Sequence, residues 1–290
     1  AETADTVLIV PAAKRDTLAL PEVVEALGGA ARVDVRDAPD HHAVKRIAAD
    51  AAGTVEAVAI AGGDGSVRDV AGALAGTATA LCVIPCGTAN DFAKTINTPL
   101  DHAGAAALRR SGTVQDVDVG DVNGIAFLNA AGAGLSTDVA NTLAGVNKRF
   151  GVLSYVGALA DVVRRRRSFA VDVTCDGQTI SLRTVQIKVG NGLRHGGGIL
   201  LRDDASVDDG LLELYAIPPL SAFRLMLKWP SLLRGTQYNW RYVTTLRGRT
   251  ISLATPEGPE ELNVDGDILT RTPATFSVRR NALNVFVPAG

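Results

Sequence analysis

The apolar run Val55-Glu-Ala-Val-Ala-Ile-Ala61 leads directly into Gly62-Gly-Asp-Gly-Ser66, and this junction constrains the chain more than any other segment. A short buried strand ending in clustered glycines around one carboxylate predicts a strand-turn-helix unit. Glycine there lets backbone N–H groups come close to a ligand. A helix beginning at that point adds partial positive charge, so the ligand it suits is a phosphate. Strand-to-helix turns are also glycine-rich for backbone reasons alone, and the pentapeptide by itself does not separate the two. A second junction points the same way. Val83-Ile-Pro85 ends another apolar strand and runs into Cys86-Gly-Thr-Ala-Asn-Asp-Phe-Ala93, delivering Gly87, Thr88, Asn90 and Asp91 to the same kind of edge. In an open α/β sheet such loops line one crevice at the carboxyl ends of the strands, so these two are expected to face each other.

Neither loop carries a commoner nucleotide fingerprint. There is no Gly-x-x-x-x-Gly-Lys-Ser/Thr, and Gly63-Asp-Gly65-Ser-Val-Arg68 lacks the third glycine of a dinucleotide turn, which disfavours a Walker-type NTPase or an ordinary dehydrogenase. At 290 residues and 47% apolar, the chain can build two cored domains. A formal charge of -2 and only 4% aromatic residues argue against a general nucleic-acid binder. Cys82, Cys86 and Cys175 are odd in number and without CxxC spacing, so they read as small core residues of a reducing compartment. No apolar stretch approaches a membrane span, and Ala1-Glu-Thr-Ala-Asp5 has no basic region before a hydrophobic one. The expected location is cytoplasmic, at most peripheral at the inner face of the membrane.

Strands and helices alternate at first: strand Thr6 to Val10, helix Leu20 to Leu27, strand Ala31 to Val35, helix His41 to Ala52, strand Val55 to Ala61, helix Val67 to Leu74, and helix Asp101 to Arg110. This is the order of a parallel sheet covered by helices. After about residue 114 the pattern becomes many short strands: Val114 to Val119, Ile125 to Asn129, Ala170 to Thr174, Thr179 to Leu182, Thr184 to Val189, Leu211 to Ile217, Thr250 to Leu253, Ala274 to Val278 and Leu283 to Val287. Such a run suggests a β-sandwich, interrupted by helices around 151–167 and 221–233. The fold class is therefore α/β plus all-β. An open α/β nucleotide domain is expected over residues 1–117 and a β-sandwich over 118–290, with the C-terminal segment free to return to the first domain.

Taken in order, Gly62-Gly-Asp-Gly-Ser66, Pro85-Cys-Gly-Thr-Ala-Asn-Asp-Phe-Ala93, Asp116-Val-Asp118, Gly190-Asn-Gly192 with Gly196-Gly-Gly198, Asp208-Asp-Gly-Leu-Leu-Glu213 and Asn263-Val-Asp-Gly-Asp267 resemble the diacylglycerol kinase catalytic-domain family. That family includes bacterial lipid kinases and the sphingosine and ceramide kinases. The resemblance implies ATP and Mg2+ in a cleft between the two domains, and a lipid hydroxyl as phosphoryl acceptor. It implies that Asp267, where the family has glutamate, is the proton acceptor, with Asp265 the alternative base. Asp64 and Asp118 match acidic residues of the family's magnesium and water network. Asp209, with the backbone carbonyls of Ser206 and Leu211, matches a structural magnesium site.

Chemistry asks for similar parts. Phosphoryl transfer needs a backbone cradle, metal ions that neutralise oxygens, and a carboxylate to orient or deprotonate the attacking hydroxyl. Gly62, Gly63, Asp64, Gly65, Ser66, Val67, Arg68 and Thr88 are the cradle candidates. Asp265 and Asp267 flank Gly266, so at an extended strand end they would point the same way; the competing local reading is a solvated Asp-Gly hairpin turn. Asp118 reads equally well as an exposed residue of an alternating strand. Asp208-Asp-Gly210 reads equally as an acidic turn.

The chain departs from the family at its start. The first strand ends Val10-Pro-Ala-Ala-Lys-Arg15 where members carry an Asn-Pro-x-Ser-Gly-like turn, and the threonine after the second strand is absent, with Arg36 and Asp37 near that place. One glycine-bearing nucleotide loop is missing, and Lys14 and Arg15 are candidates to contact phosphate instead. Arg164 to Arg167 follow a helical stripe of Val152, Val156, Leu159 and Val163, and exceed what a helix dipole requires, so contact with anionic headgroups is expected. The Phe223 to Trp229 segment suits either core or a membrane interface. The reading is a lipid kinase. A kinase of a soluble metabolite or NAD, and an inactive lipid- or nucleotide-binding regulator, are the alternatives. The oligomeric state is left open, a homodimer included.

Overall fold

A computed structural model describes residues 4–134, 168–191, 207–219 and 242–289, with the backbone of two short strands at 194–195 and 199–200. The helices expected around 151–167 and 221–233, the Arg164 to Arg167 cluster, Gly192, Gly196 to Gly198 and Ser206 lie outside the described residues. The first elements are β1 (Thr6–Pro11), α1 (Leu20–Leu27), β2 (Val33–Ala38), α2 (His41–Ala51), β3 (Ala57–Gly62), α3 (Asp64–Leu74), β4 (Ala80–Pro85), α4 (Asp91–Thr95), α5 (His102–Ser111) and β5 (Thr113–Val122). They continue as β6 (Ile125–Phe127), β7 (Ala130–Gly134), β8 (Phe169–Cys175), β9 (Gln178–Thr184), β10 (Gln186–Gly190), β11 (Arg194–His195) and β12 (Ile199–Leu200). The last are β13 (Leu212–Ile217), β14 (Thr244–Gly248), β15 (Thr250–Ala254), β16 (Glu261–Val264), β17 (Asp267–Arg271) and β18 (Ala274–Val287).

The chain divides into two compact units, one of Ala1–Val119, Val207–Gly210 and Arg279–Gly290, the other of Gly120–Ser206 and Leu211–Val278. In the first, β2-β1-β3-β4 form a parallel sheet in that order, and the second half of β18 runs parallel beside β4. Alternation at period two sets its two faces. Leu8, Val10, Ala57, Ala59, Ala61, Cys82 and Ile84 pack with Val23 and Leu27 of α1 and Ala106 and Leu108 of α5. Ile9, Val58, Ile60 and Val83 are buried on alternating positions, and α2 packs on β1 while α3 packs on β3. Side-chain caps start two of the helices: Asp40 accepts the Ala43 N–H at 2.8 Å and Asp101 the Gly104 N–H at 2.6 Å.

The second unit is a β-sandwich. One sheet has β9-β8-β15 and the first half of β18, all antiparallel; the other has β14-β13-β10-β7-β16-β17. Their inner faces share one core, in which Val171 and Val173 of β8, Ile251 and Leu253 of β15, Ile187 and Val189 of β10, Leu212 and Leu214 of β13 and Val264 of β16 are buried. Phe127 and Phe276 meet edge to face at 6.2 Å.

Several boundaries differ from the sequence reading for identifiable reasons. Helix α3 starts at Asp64, three residues before the expected Val67, so Gly62 ends β3, Gly63 caps the helix and Asp64, Gly65 and Ser66 open its first turn. The strands expected at Ala274 to Val278 and Leu283 to Val287 are one strand, which continues through Arg279-Arg-Asn281 with Asn281 at φ 47°. Strand β2 lies at Val33–Ala38, not Ala31 to Val35, so Arg36 and Asp37 are inside it. Val207–Gly210, expected in the second domain, packs with the first unit.

Candidate functional site

In the first unit, β3 and β4 run in parallel register with Gly62 beside Pro85, so the turns that follow them lie side by side. They touch through glycine. A Cβ on Gly87 would lie 2.6 Å from the Gly63 Cα and 2.7 Å from the Asn90 side-chain oxygen, and one on Gly63 would lie 3.1 Å from the Gly87 Cα. The expected facing of the two loops is therefore seen, and it requires both glycines. Gly62 is needed as well, since a Cβ there would come within 2.7 Å of the Ser66 Cβ. Asn90, at φ 51°, closes the second loop: it accepts the Gly87 N–H and donates to the Gly87 carbonyl, each at 2.9 Å.

Asp64 joins the two loops by charge and hydrogen bonding. Its carboxylate accepts the Phe92 N–H, in the first turn of α4, at 3.1 Å. Burial pushes its carboxyl above the ordinary carboxylate value, the Phe92 N–H partly offsets this, and the neighbouring Asp91 carboxylate adds to it. A helix leaves its first backbone N–H groups without intrahelical acceptors, which here are those opening α3. That supply ends at Ser66, because the Val67 N–H donates to the Gly63 carbonyl at 3.0 Å. Val67 and Arg68 thus stand apart from the rest of the expected cradle. Val67 is a core side chain, and Arg68 is buried with its guanidinium on Asp69 at 3.0 Å. Thr88 is exposed on the loop after β4.

Asp118 is neither an exposed strand residue nor a carboxylate turned to solvent. It is 1% exposed, its two oxygens accept the Gly210 N–H at 2.6 Å and the Asn281 N–H at 2.8 Å, and its own N–H donates to the Val207 carbonyl at 2.7 Å. One strand residue thereby ties the Val207–Gly210 turn to the middle of β18. Asp209, in that turn, and Leu211, after it, are half-buried. Among the described residues, no three His, Cys, Asp or Glu side chains group as a metal cage.

In the second unit, Asp265 and Gly266 form the two-residue turn between β16 and β17, at φ 48° and 103° with Val264 opposite Asp267. This is a hairpin with positive φ at both turn residues, as Asp-Gly favours. It replaces the extended strand end expected from the sequence, so the two carboxylates are not related by strand alternation. The Asp265 carboxylate accepts three backbone N–H groups, of Leu128 at 2.8 Å and of Asn129 and Ala130 at 3.0 Å each. The Asn263 side chain accepts the Gly266 N–H at 3.0 Å, and Asp267 follows, exposed, at the first position of β17. Sequence reasoning missed this division of labour. The Asp-Gly pair itself was its only local signal, since the N–H groups that Asp265 gathers belong to residues 128–130.

Residues 10–122 match the diacylglycerol kinase catalytic domain, and residues 129–287 match the YegS C-terminal NAD kinase beta sandwich-like domain. The chain belongs to the diacylglycerol kinase catalytic-domain family. It is 35% identical over 258 residues to a Pseudomonas aeruginosa protein named "Probable lipid kinase YegS-like", covering 85% of this chain and 82% of that one. It is 31% identical over 276 residues to a Mycobacterium tuberculosis diacylglycerol kinase, covering 92% and 85% of the two chains. The fold matches the crystal structure of a Bacillus anthracis diacylglycerol kinase with TM-score 0.77 at 23% identity, over 99% of this chain and 98% of that one. This family membership makes the protein kinase-like in chemistry, with an N-terminal α/β domain and a C-terminal β-sandwich. No helix among the described residues is long and apolar enough to cross a membrane.

Proposed function

We propose that this protein is a lipid kinase that transfers the terminal phosphoryl group of ATP to a hydroxyl of a membrane lipid. The observation that carries the donor half is the contact of Gly63 with Gly87, which lets the two loops close against each other beside the first N–H groups of α3. Helix N–H groups of that kind suit phosphate oxygens, and a Cβ on either glycine would push the two loops apart.

The Asp64 to Ser66 N–H groups bind the phosphates, and the two glycines let the loop after β4 close beside them. Magnesium commonly reaches nucleotides through one or two carboxylates and phosphate oxygens, so Asp64 is the residue that would hold it here, where it would neutralise developing charge. Asp209 is the side chain that would hold a second, structural ion. Asp118 acts through the backbone that it ties together. In the second unit Asp265 fixes the hairpin, and Asp267 takes the proton of the lipid hydroxyl. The hydroxyl oxygen bonds to phosphorus, the bond from phosphorus to the ADP oxygen breaks, and the proton passes to the Asp267 carboxylate. The lipid acceptor places the protein at an anionic membrane surface at the inner face, peripherally bound.

The test is incubation with labelled ATP, magnesium and a total lipid extract, followed by separation of the lipid phase. Label in a lipid product is expected. Label confined to a water-soluble acceptor, or no transfer with any extract, overturns the proposal.

A further inference from the structure

The loop after β1 lies beside the glycine loop after β3, because the sheet order is β2-β1-β3-β4. It has no glycine. A single 3-10 turn, Ala12–Lys14, follows Pro11 directly, and it brings two basic residues, Lys14 and Arg15, to the phosphate-facing edge. The structure separates their fates. Arg15 is exposed and forms an ion pair with Asp37 of β2. Lys14 is half-buried, and among the described residues its ammonium has no hydrogen-bond or ion-pair partner. Arg36, on β2, bonds Asp34 of the same strand at 2.6 Å. A half-buried ammonium without an acid beside it forfeits hydration without gaining a counter-charge, so the position favours an anion that arrives from outside.

Cys86 marks where that ammonium acts. Its N–H donates to the Gly62 carbonyl at 2.9 Å, so it joins the two glycine loops, and its Sγ lies 3.5 Å from His102 Nε2. Burial pushes the Cys86 thiol up, and the Lys14 charge works against that, in keeping with the loop after β1 lying next to the loop after β3.

Resting on the reading that a nucleotide binds at these loops, we propose that Lys14 is a phosphate-binding residue of this chain, supplying by charge the contact that a glycine turn after β1 would make with backbone N–H groups. The substitution of a flexible cation for a rigid turn leaves affinity for the phosphate chain while dropping shape recognition near it.

The experiment is calorimetric titration of the full chain and of Lys14→Met and Lys14→Arg with magnesium ATP, adenosine and inorganic tripolyphosphate. Lys14→Met is expected to weaken ATP and tripolyphosphate by roughly tenfold or more, the range of a charge-assisted hydrogen bond, and to leave adenosine unchanged. Lys14→Arg is expected to recover most of the loss. A second readout is alkylation of Cys86 by iodoacetamide, followed by mass of its peptide. ATP should protect the thiol in the parent chain, and Lys14→Met should slow its reaction at fixed pH. Equal ATP affinity in the parent and Lys14→Met chains overturns the proposal. If the parent binds tripolyphosphate through Lys14 but does not bind ATP, the ATP-donor reading fails and the Lys14 assignment stands. If it binds neither, both fail.

Discussion

The loops after β3 and β4 and the hairpin between β16 and β17 each present an aspartate beside glycine, yet they are built in opposite ways. In the first region glycines make the surface: Gly63 and Gly87 press together, with no room for a Cβ between the two backbones. In the second a side chain makes the surface, because Asp265 gathers three N–H groups and so fixes where the next carboxylate, Asp267, emerges. A site that binds a charged chain of phosphates gains from exposed N–H groups. A site that moves one proton gains from one carboxylate held in place.

Substitutions can break this contrast. The largest effect is expected for Asp267→Asn, which should lower lipid phosphorylation by about 10²–10⁴-fold, the usual contribution of a general base, with the melting temperature near that of the parent. Next is Gly87→Ala. Its methyl meets backbone at 2.6 Å, so the loops must part, and a displacement near 1 Å is worth roughly 100-fold in turnover. Activity within a few-fold of the parent would show that the two loops need not touch. Asp265→Ala should act first on stability. Three N–H groups lose a charged acceptor, and a denaturant titration should show a loss of about 2–3 kcal/mol, whereas Asp267→Asn shows almost none. Equal stability of the two variants would erase the distinction between holder and base.

The smallest effect concerns pH. Burial raises the folded carboxyl of Asp64 above the ordinary value of 3.8, so the folded chain binds that proton more tightly than the unfolded one. Ionised Asp64 therefore lowers stability above its folded pKa, and the penalty disappears as pH falls toward 3.8. Asp64→Asn should melt on the order of 1–2 °C higher than the parent at neutral pH, with the gap closing as pH falls, although it loses activity. A lower melting temperature at neutral pH would mean that the carboxylate's bond to Phe92 outweighs its burial.

Most strands and helices up to Ser111 were legible because they carry their own periodicity, reinforced in α2 and α5 by the caps Asp40 and Asp101, whereas the five-residue α4 is too short to show one. The glycine loops were legible for the same reason. Asp118 was not. Its alternation with Val117 and Val119 describes one strand, while its burial comes from Gly210 and Asn281, 92 and 163 residues away. The Asp265 arrangement hid for a similar cause, since the N–H groups it collects belong to residues 128–130. Local signals identified the Asp-Gly turn correctly, and the assumption of a shared strand face did not survive it. Helix α3 began early because helix N-termini tolerate glycine and aspartate that weigh against helix in its interior.

The long strand β18 also has a consequence for how the chain is made. Its second half is the neighbour of β4, with Val285 opposite Leu81, and the Ala282 carbonyl accepts the Gly76 N–H at 2.6 Å. During synthesis the residues up to Val119 leave the ribosome long before that neighbour exists. The edge of β4 stays open until the stretch around residue 285 has been translated, so the first unit is completed only after the second has been made.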